Sequence, residues 1–151
     1  MALYRIDVAA FDVPADWRDQ SITAFRLPAA PDGGDASFVV TRDDGKGVDP
    51  FVAYYDKQRK ICADSLPDFV ELKSEMINVQ ERDAAWFEFT WSKETTTLKL
   101  RQIYVDCGLF VLIFTLTCTP RDQPLFERPW HALMSTIVFD RLDTTPTFPV
   151  R

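Results

Sequence analysis

The hydrophobic and polar positions between Thr96 and Thr119 predict one long β-hairpin. Its first arm alternates, with Leu98, Leu100, Gln102 and Tyr104 on one face and Lys99, Arg101, Ile103 and Val105 on the other. A period of two over that length is typical of a strand with two unlike faces. The turn is predicted near Gly108. The second arm, Leu109 to Cys118, is apolar on both faces, which favours a central place in a sheet.

Shorter stretches predict the remaining strands. They are two short strands within Leu3 to Val13, then Ser21 to Leu27, Ala36 to Thr41, Phe69 to Leu72, Met76 to Val79 and Ala85 to Trp91. Prolines, glycines and charged turns separate them. Strands outnumber helices and are joined by short links. The pattern therefore predicts an α+β fold with a mainly antiparallel sheet.

Two amphipathic segments predict helices. The first runs from about Phe51 to Ser65, with Asp49 as its N-cap and Pro50 in its first turn. Its apolar stripe, at spacings of three and four, consists of Phe51, Tyr55, Gln58, Cys62 and Leu66. The second is predicted from about Pro129 to Val138, and its buried face is Trp130, Leu133, Met134 and Ile137.

Length and charge narrow the class of protein. The 151 residues fit a single domain, predicted over residues 1–140, with a C-terminal tail over residues 141–151. The net charge is −6, and basic residues are not clustered, so nucleic acid is not an expected partner. The start of the chain lacks the pattern of a signal peptide, and the apolar run around Leu109 to Cys118 is too short to span a bilayer. We therefore expect a cytoplasmic location without membrane insertion.

No catalytic constellation, metal site or cofactor motif is evident in the sequence. His131 is the single histidine, so a metal site with two histidines is impossible and any Ser–His or Cys–His pair must use it. The three cysteines, at positions 62, 107 and 118, are too widely spaced for a zinc knuckle and are expected to be small buried hydrophobes. No glycine-rich nucleotide fingerprint follows a strand. We expect no enzyme activity; an enzyme would use His131, or two of the carboxylates for glycoside hydrolysis.

Two glutamines interrupt apolar surfaces. Gln58 lies within the stripe of the first helix, and Gln102 lies on the apolar face of the central strand. In one interpretation, each side-chain amide points into water at the edge of its stripe. Alternatively, the amides lie in an apolar groove and each pairs with a polar group on a bound guest helix. Such a pair fixes the position of the guest in the groove more than it adds binding affinity.

The two glutamines lie in a sequence that resembles the Eag chaperones, which are DcrB-like proteins associated with type VI secretion effectors. The resemblance covers roughly residues 1 to 138. It rests on Leu3-Tyr4-Arg5, Asp19-Gln20-Ser21-Ile22, Ala36-Ser37-Phe38-Val39-Val40, Pro50-Phe51, Leu100-Arg101-Gln102 and Leu116-Thr117-Cys118-Thr119-Pro120. It implies a Mog1/PsbP-like fold, in which a curved antiparallel sheet has flanking helices, and a homodimer.

The resemblance also implies a function and a site. Family members hold the N-terminal transmembrane segments of PAAR-containing effectors, often Rhs toxins, in the cytoplasm before export. Carried over by position, the residues lining the effector-binding groove would be Ile22, Ala24, Gln58, Cys62, Leu66, Leu98 and Gln102. Ala24 and Cys62 depart mildly from the family pattern, which has a larger aliphatic at the first and a small residue at the second.

A second hypothesis is an adaptor of the same fold family that binds a folded partner through its loops. In that case partner binding would depend on the loop from Ala29 to Asp35, and substitutions in the groove would not affect it. A neighbouring gene that encodes a PAAR domain preceded by apolar stretches of about 20 residues would favour the chaperone.

Overall fold

The computed structural model describes residues 2–6, 8–28 and 36–139. The strands of this part of the chain are β1 Ala2–Ile6, β2 Ala9–Val13, β3 Ile22–Leu27, β4 Ala36–Asp43, β5 Val70–Val79, β6 Arg82–Lys93, β7 Thr96–Asp106 and β8 Val111–Cys118. The helices are α1, Phe51–Ser65, and α2, Glu127–Ser135, and a 3-10 helix, Gln123–Phe126, leads into α2. The predicted loop at residues 29–35 and the tail at residues 141–151 lie outside the described residues.

The main sheet has six strands in the order β3-β4-β8-β7-β6-β5, and every neighbouring pair is antiparallel. β1 and β2 form a separate antiparallel hairpin. The predicted α+β class with an antiparallel sheet is therefore confirmed. The predicted central hairpin is β7 and β8, and Gly108 in its turn has a φ of 88°, which glycine adopts without strain.

Each face of this sheet packs against one helix. On one face, α2 places the buried Trp130 against Phe38, with ring centroids 6.1 Å apart. On the other face, α1 packs its aromatic stripe against the sheet. There the ring of Tyr55 lies edge-on to Phe87 and to Tyr104, with centroid distances of 6.0 and 5.5 Å. The core is thus two layers of apolar side chains, one on each side of the strands.

The edge of the sheet differs from the prediction. The two strands predicted at Phe69 to Leu72 and Met76 to Val79 are one strand, β5, with an irregular register between Glu71 and Lys73. Most of β5 is exposed, so its middle needs no apolar residues and the hydrophobic pattern is interrupted there. β6 starts before Ala85, at Arg82, since the reversal is made by Gln80 and Glu81, both with positive φ.

The helix ends show two further differences. The predicted bounds of α1 are confirmed, but the predicted cap at Asp49 is wrong, because the N-cap residue is Pro50 and no side chain caps the helix. α2 begins at Glu127, before the predicted Pro129, and ends at Ser135. A proline is tolerated in the first turn because the backbone N–H groups there have no partner within the helix. Ile137 lies beyond the helix but still packs against the core.

Candidate binding surface

Helix α1 is fixed over the β5–β6–β7 part of its face of the sheet. The Tyr55 hydroxyl lies 2.8 Å from the Ser74 hydroxyl of β5, and Arg59 donates to Glu71 of the same strand at 2.7 Å. On the β3 side of the helix, the sheet is less covered. Val39, Ile113 and Thr115 are half-buried there, and Ile22 is 64% exposed. We call this part of the sheet, together with the flank of α1, the open face.

The strand register places two predicted residues, Ala24 and Gln102, in one row across the open face. Ala24 pairs with Val39, Val39 with Thr115, and Thr115 with Gln102. Three strand spacings separate the ends of that row, which makes the row about 14 Å wide. Ile22 begins the next row, two residues along β3, on the same face. The sequence alone did not identify Val39 and Thr115 as members of this surface.

The remaining predicted residues border the same surface. Leu98 lies on the Gln102 face of β7 by strand alternation and is half-buried. Cys62 and Leu66 pack against the core cluster under α1 and remain half-buried. Gln58 belongs to the same stripe of α1 and is also half-buried. All seven predicted residues thus lie on one side of the sheet, and none of them is fully buried.

The amide of Gln102 is held by its neighbours. The Tyr104 hydroxyl donates to Gln102 Oε1 at 2.9 Å, and Gln102 Nε2 donates to Thr115 Oγ1 at 3.2 Å. Burial raises the pKa of Tyr104, so this hydroxyl keeps its proton at neutral pH. Gln102 is therefore more than a solvated amide at the edge of a stripe, because both ends of its amide have protein partners.

His131 lies away from the open face. It belongs to α2, 65% of its side chain is exposed, and its ring lies 6.4 Å from that of Trp86. Its Nε2 is 3.7 Å from Glu127 Oε2. Among the described residues, no cluster of histidines, cysteines and carboxylates could hold a metal ion. No helix within the described ranges is both long and apolar enough to cross a bilayer.

A separate cavity of about 520 Å³ lies beside the β1–β2 hairpin. Its lining includes Tyr4, Phe11 and Trp17, and none of the seven predicted residues. The cavity and the open face are therefore two distinct surfaces of the described chain.

Comparison with known proteins places the chain in a family. The DcrB family profile matches residues 9–136. The protein named Effector EagT6 of Pseudomonas aeruginosa is 39% identical over 138 residues, which cover 91% of this chain and 96% of that protein.

Solved structures agree with this assignment. The crystal structure of PA94, a Pseudomonas aeruginosa protein of unknown function, has a TM-score of 0.86 at 38% identity, covering 93% of this chain and 98% of that one. The structure of LpqN, involved in cell envelope biogenesis of Mycobacterium tuberculosis, has a TM-score of 0.56 at 12% identity, covering 80% and 85%, which is a likeness of fold alone. The chain thus belongs to the DcrB family and is a relative of EagT6, as the resemblance seen in its sequence predicts.

Proposed function

We propose that this chain is an Eag-type chaperone of type VI secretion, which binds the N-terminal transmembrane segments of a PAAR/Rhs-type effector on the open face before export. The observation that carries the proposal is the uneven cover of the sheet. The α2 side buries Phe38 and Phe114 of β4 and β8, whereas Val39 and Thr115 of the same strands are only half-buried on the α1 side. The name of EagT6 supports an association with effectors.

The size and chemistry of the open face suit an apolar helix. A row about 14 Å wide is slightly wider than an α-helix with its side chains, which measures about 10–12 Å. Ile22, Leu98 and Leu66 supply apolar contact, while Gln102 and Thr115 supply polar groups at the end of the row next to α1. Transmembrane helices associate through a similar mixture, with close packing supplemented by occasional hydrogen bonds. The open face can thus substitute for a neighbouring transmembrane helix.

Shielding is needed because a transmembrane segment outside a bilayer exposes about 20 consecutive apolar residues to water. We propose that the chain holds them passively in the cytoplasm as a homodimer, without catalysis or a cofactor. The net charge of −6 favours solubility of the complex.

The test is co-purification from cells that express the tagged chain together with a PAAR-containing effector that has apolar N-terminal segments. Deleting the apolar N-terminal segments from the effector is expected to abolish co-purification. In the chain, Leu98→Glu, or Gln58→Ala combined with Gln102→Ala, is expected to reduce it at least tenfold, because a buried charge or unpaired guest group weakens the contact.

Val48→Glu is the matched control, since Val48 is an exposed apolar residue in the turn between β4 and α1. It should retain full co-purification. Circular dichroism must show that every variant is folded. Undiminished co-purification by the folded Leu98→Glu variant would refute the assignment of the open face and favour a loop-mediated adaptor.

A further inference from the structure

Gln102 is held at both ends of its amide by residues with different surroundings. Tyr104, on the same face of β7, is 3% exposed and packs against the rings of Tyr54 and Tyr55 at 6.4 and 5.5 Å. Thr115 is the cross-strand partner of Gln102 on β8 and is half-buried. The carbonyl oxygen of the amide is therefore directed to the covered part of the face, and its nitrogen to the open part.

The chemistry of the two hydroxyls favours this orientation of the amide. A phenol is a better donor and a poorer acceptor than an aliphatic alcohol, because its oxygen lone pair is delocalised into the ring. The buried Tyr104 hydroxyl also stays protonated. Tyr104 is thus suited to donate to Gln102 Oε1, and Thr115 Oγ1 to accept from Nε2. Within the part of the chain that the structure describes, one N–H group of Nε2 bonds to Thr115 Oγ1 and the other is left over.

We propose that Tyr104 and Thr115 are positioning residues that make Gln102 a hydrogen-bond donor to the guest. This inference rests on the function proposed above and specifies the guest. The guest helix has an acceptor opposite Gln102, which is a serine or threonine hydroxyl oxygen or a backbone carbonyl left accessible by a small residue. A guest group that can only donate is disfavoured at this point, because Gln102 Oε1 is directed to the covered part of the face and already accepts from Tyr104.

The orientation of the amide is tested first in the free protein, by NMR of the Gln102 side-chain NH₂ group. Thr115→Val removes an acceptor, so one of the two amide protons should move upfield selectively. Tyr104→Phe should not produce such a selective shift. Thr117→Val and Tyr54→Phe are matched controls that remove hydroxyls not bonded to Gln102, and neither should affect the signal. A selective shift in Tyr104→Phe alone would overturn the assigned orientation.

Binding is tested with lysine-flanked leucine–alanine peptides of about 20 residues that carry one central serine, O-methylserine or alanine. O-methylserine can accept a hydrogen bond but cannot donate one. The unsubstituted protein is expected to bind the serine and O-methylserine peptides alike, and both about three- to tenfold more tightly than the alanine peptide. In Tyr104→Phe and Thr115→Val that preference should fall below about twofold, while Tyr54→Phe should retain it.

The outcomes separate this inference from the function on which it rests. If the unsubstituted protein binds none of the peptides, both are refuted. If it binds them all but treats O-methylserine like alanine, Gln102 acts as an acceptor and only the positioning inference fails. If Tyr104→Phe weakens all three peptides equally, the hydroxyl of Tyr104 merely supports the fold, and the inference fails as well.

Discussion

The prediction that tests the fold most severely is the replacement of Arg101 by methionine. Arg101 directly precedes Gln102, is 4% exposed and lies on the α2 side of β7. Its Nε donates to Glu88 Oε1 at 3.0 Å, and its two terminal nitrogens donate to the two carboxylate oxygens of Glu127 at 2.7 and 2.6 Å. Its guanidinium carbon also lies 5.0 Å from the Trp86 ring centroid and 5.4 Å from that of Trp130.

The size of the effect follows from the partner that remains buried. Glu88 is only 8% exposed, so without the guanidinium its charge stays largely desolvated. Removing one member of a buried ion pair costs about 3–5 kcal/mol. Lys99 lies 3.8 Å from the other oxygen of Glu88 and offsets part of that loss, which favours the lower end, about 3 kcal/mol. For a chain of this length, that is a fall in Tm of roughly 6–12 °C.

Urea denaturation followed by circular dichroism measures the free energy of unfolding of each variant. Adding Glu88→Leu to Arg101→Met should recover much of the loss, because the unpaired charge is then removed as well. Glu127→Gln, which alters the more exposed carboxylate, should cost about 1 kcal/mol or less. A loss below about 1 kcal/mol for Arg101→Met, or no recovery in the double variant, would show that Arg101 and Glu88 do not form a mutually dependent buried ion pair.

Three further predictions concern pH, the turns and assembly. Arg101 lowers the pKa of Glu127 to about 2. The stabilisation by this carboxylate is therefore complete above its unfolded pKa of roughly 4.3 and is lost as the pH falls towards 2. Glu127→Gln should flatten that part of the curve of unfolding free energy against pH, measured by urea denaturation. The turn residues Gly108 and Glu94 have positive φ, 88° and 57°, which glycine adopts more readily than other residues. In thermal melts, Gly108→Ala should destabilise the chain by about 1 kcal/mol. Glu94→Gly should be neutral or stabilising by up to about 1 kcal/mol. Light scattering should give twice the mass of one chain for the proposed homodimer, and a mass of one chain at micromolar concentration would contradict it.

The elements that the sequence predicts best are those in which packing and pattern agree. Helix α1 is bounded as predicted because its stripe packs against the sheet and a proline lies immediately before its first residue. The middle of β5 was missed because an exposed edge strand can carry Lys73 and Glu75 without an apolar period. The exact position of the turn before β6, at Gln80 and Glu81, could not be predicted, since neither residue is typical of positive φ.

The open face could be predicted only in part from the sequence. Alternation places Leu98 and Gln102 on one side of β7, and the stripe of α1 places Gln58 with Cys62. The contribution of Thr115 depends on the register between β7 and β8, because a shift of one residue would put it on the other face. The partners of Gln102 follow from that same register and could not be inferred from spacing.

The two sides of β7 are coupled through that register. Arg101 pairs in the ladder with Glu88, and Gln102 pairs with Phe87. A slip of one residue along the strand would exchange the two faces, so that a guanidinium would replace the amide on the open face and Glu88 would lose its buried partner. The desolvation of an unpaired ion costs several kcal/mol, so the slipped arrangement is strongly disfavoured. The charged network on the α2 side thus holds Gln102 on the α1 side, where the proposed guest would meet it.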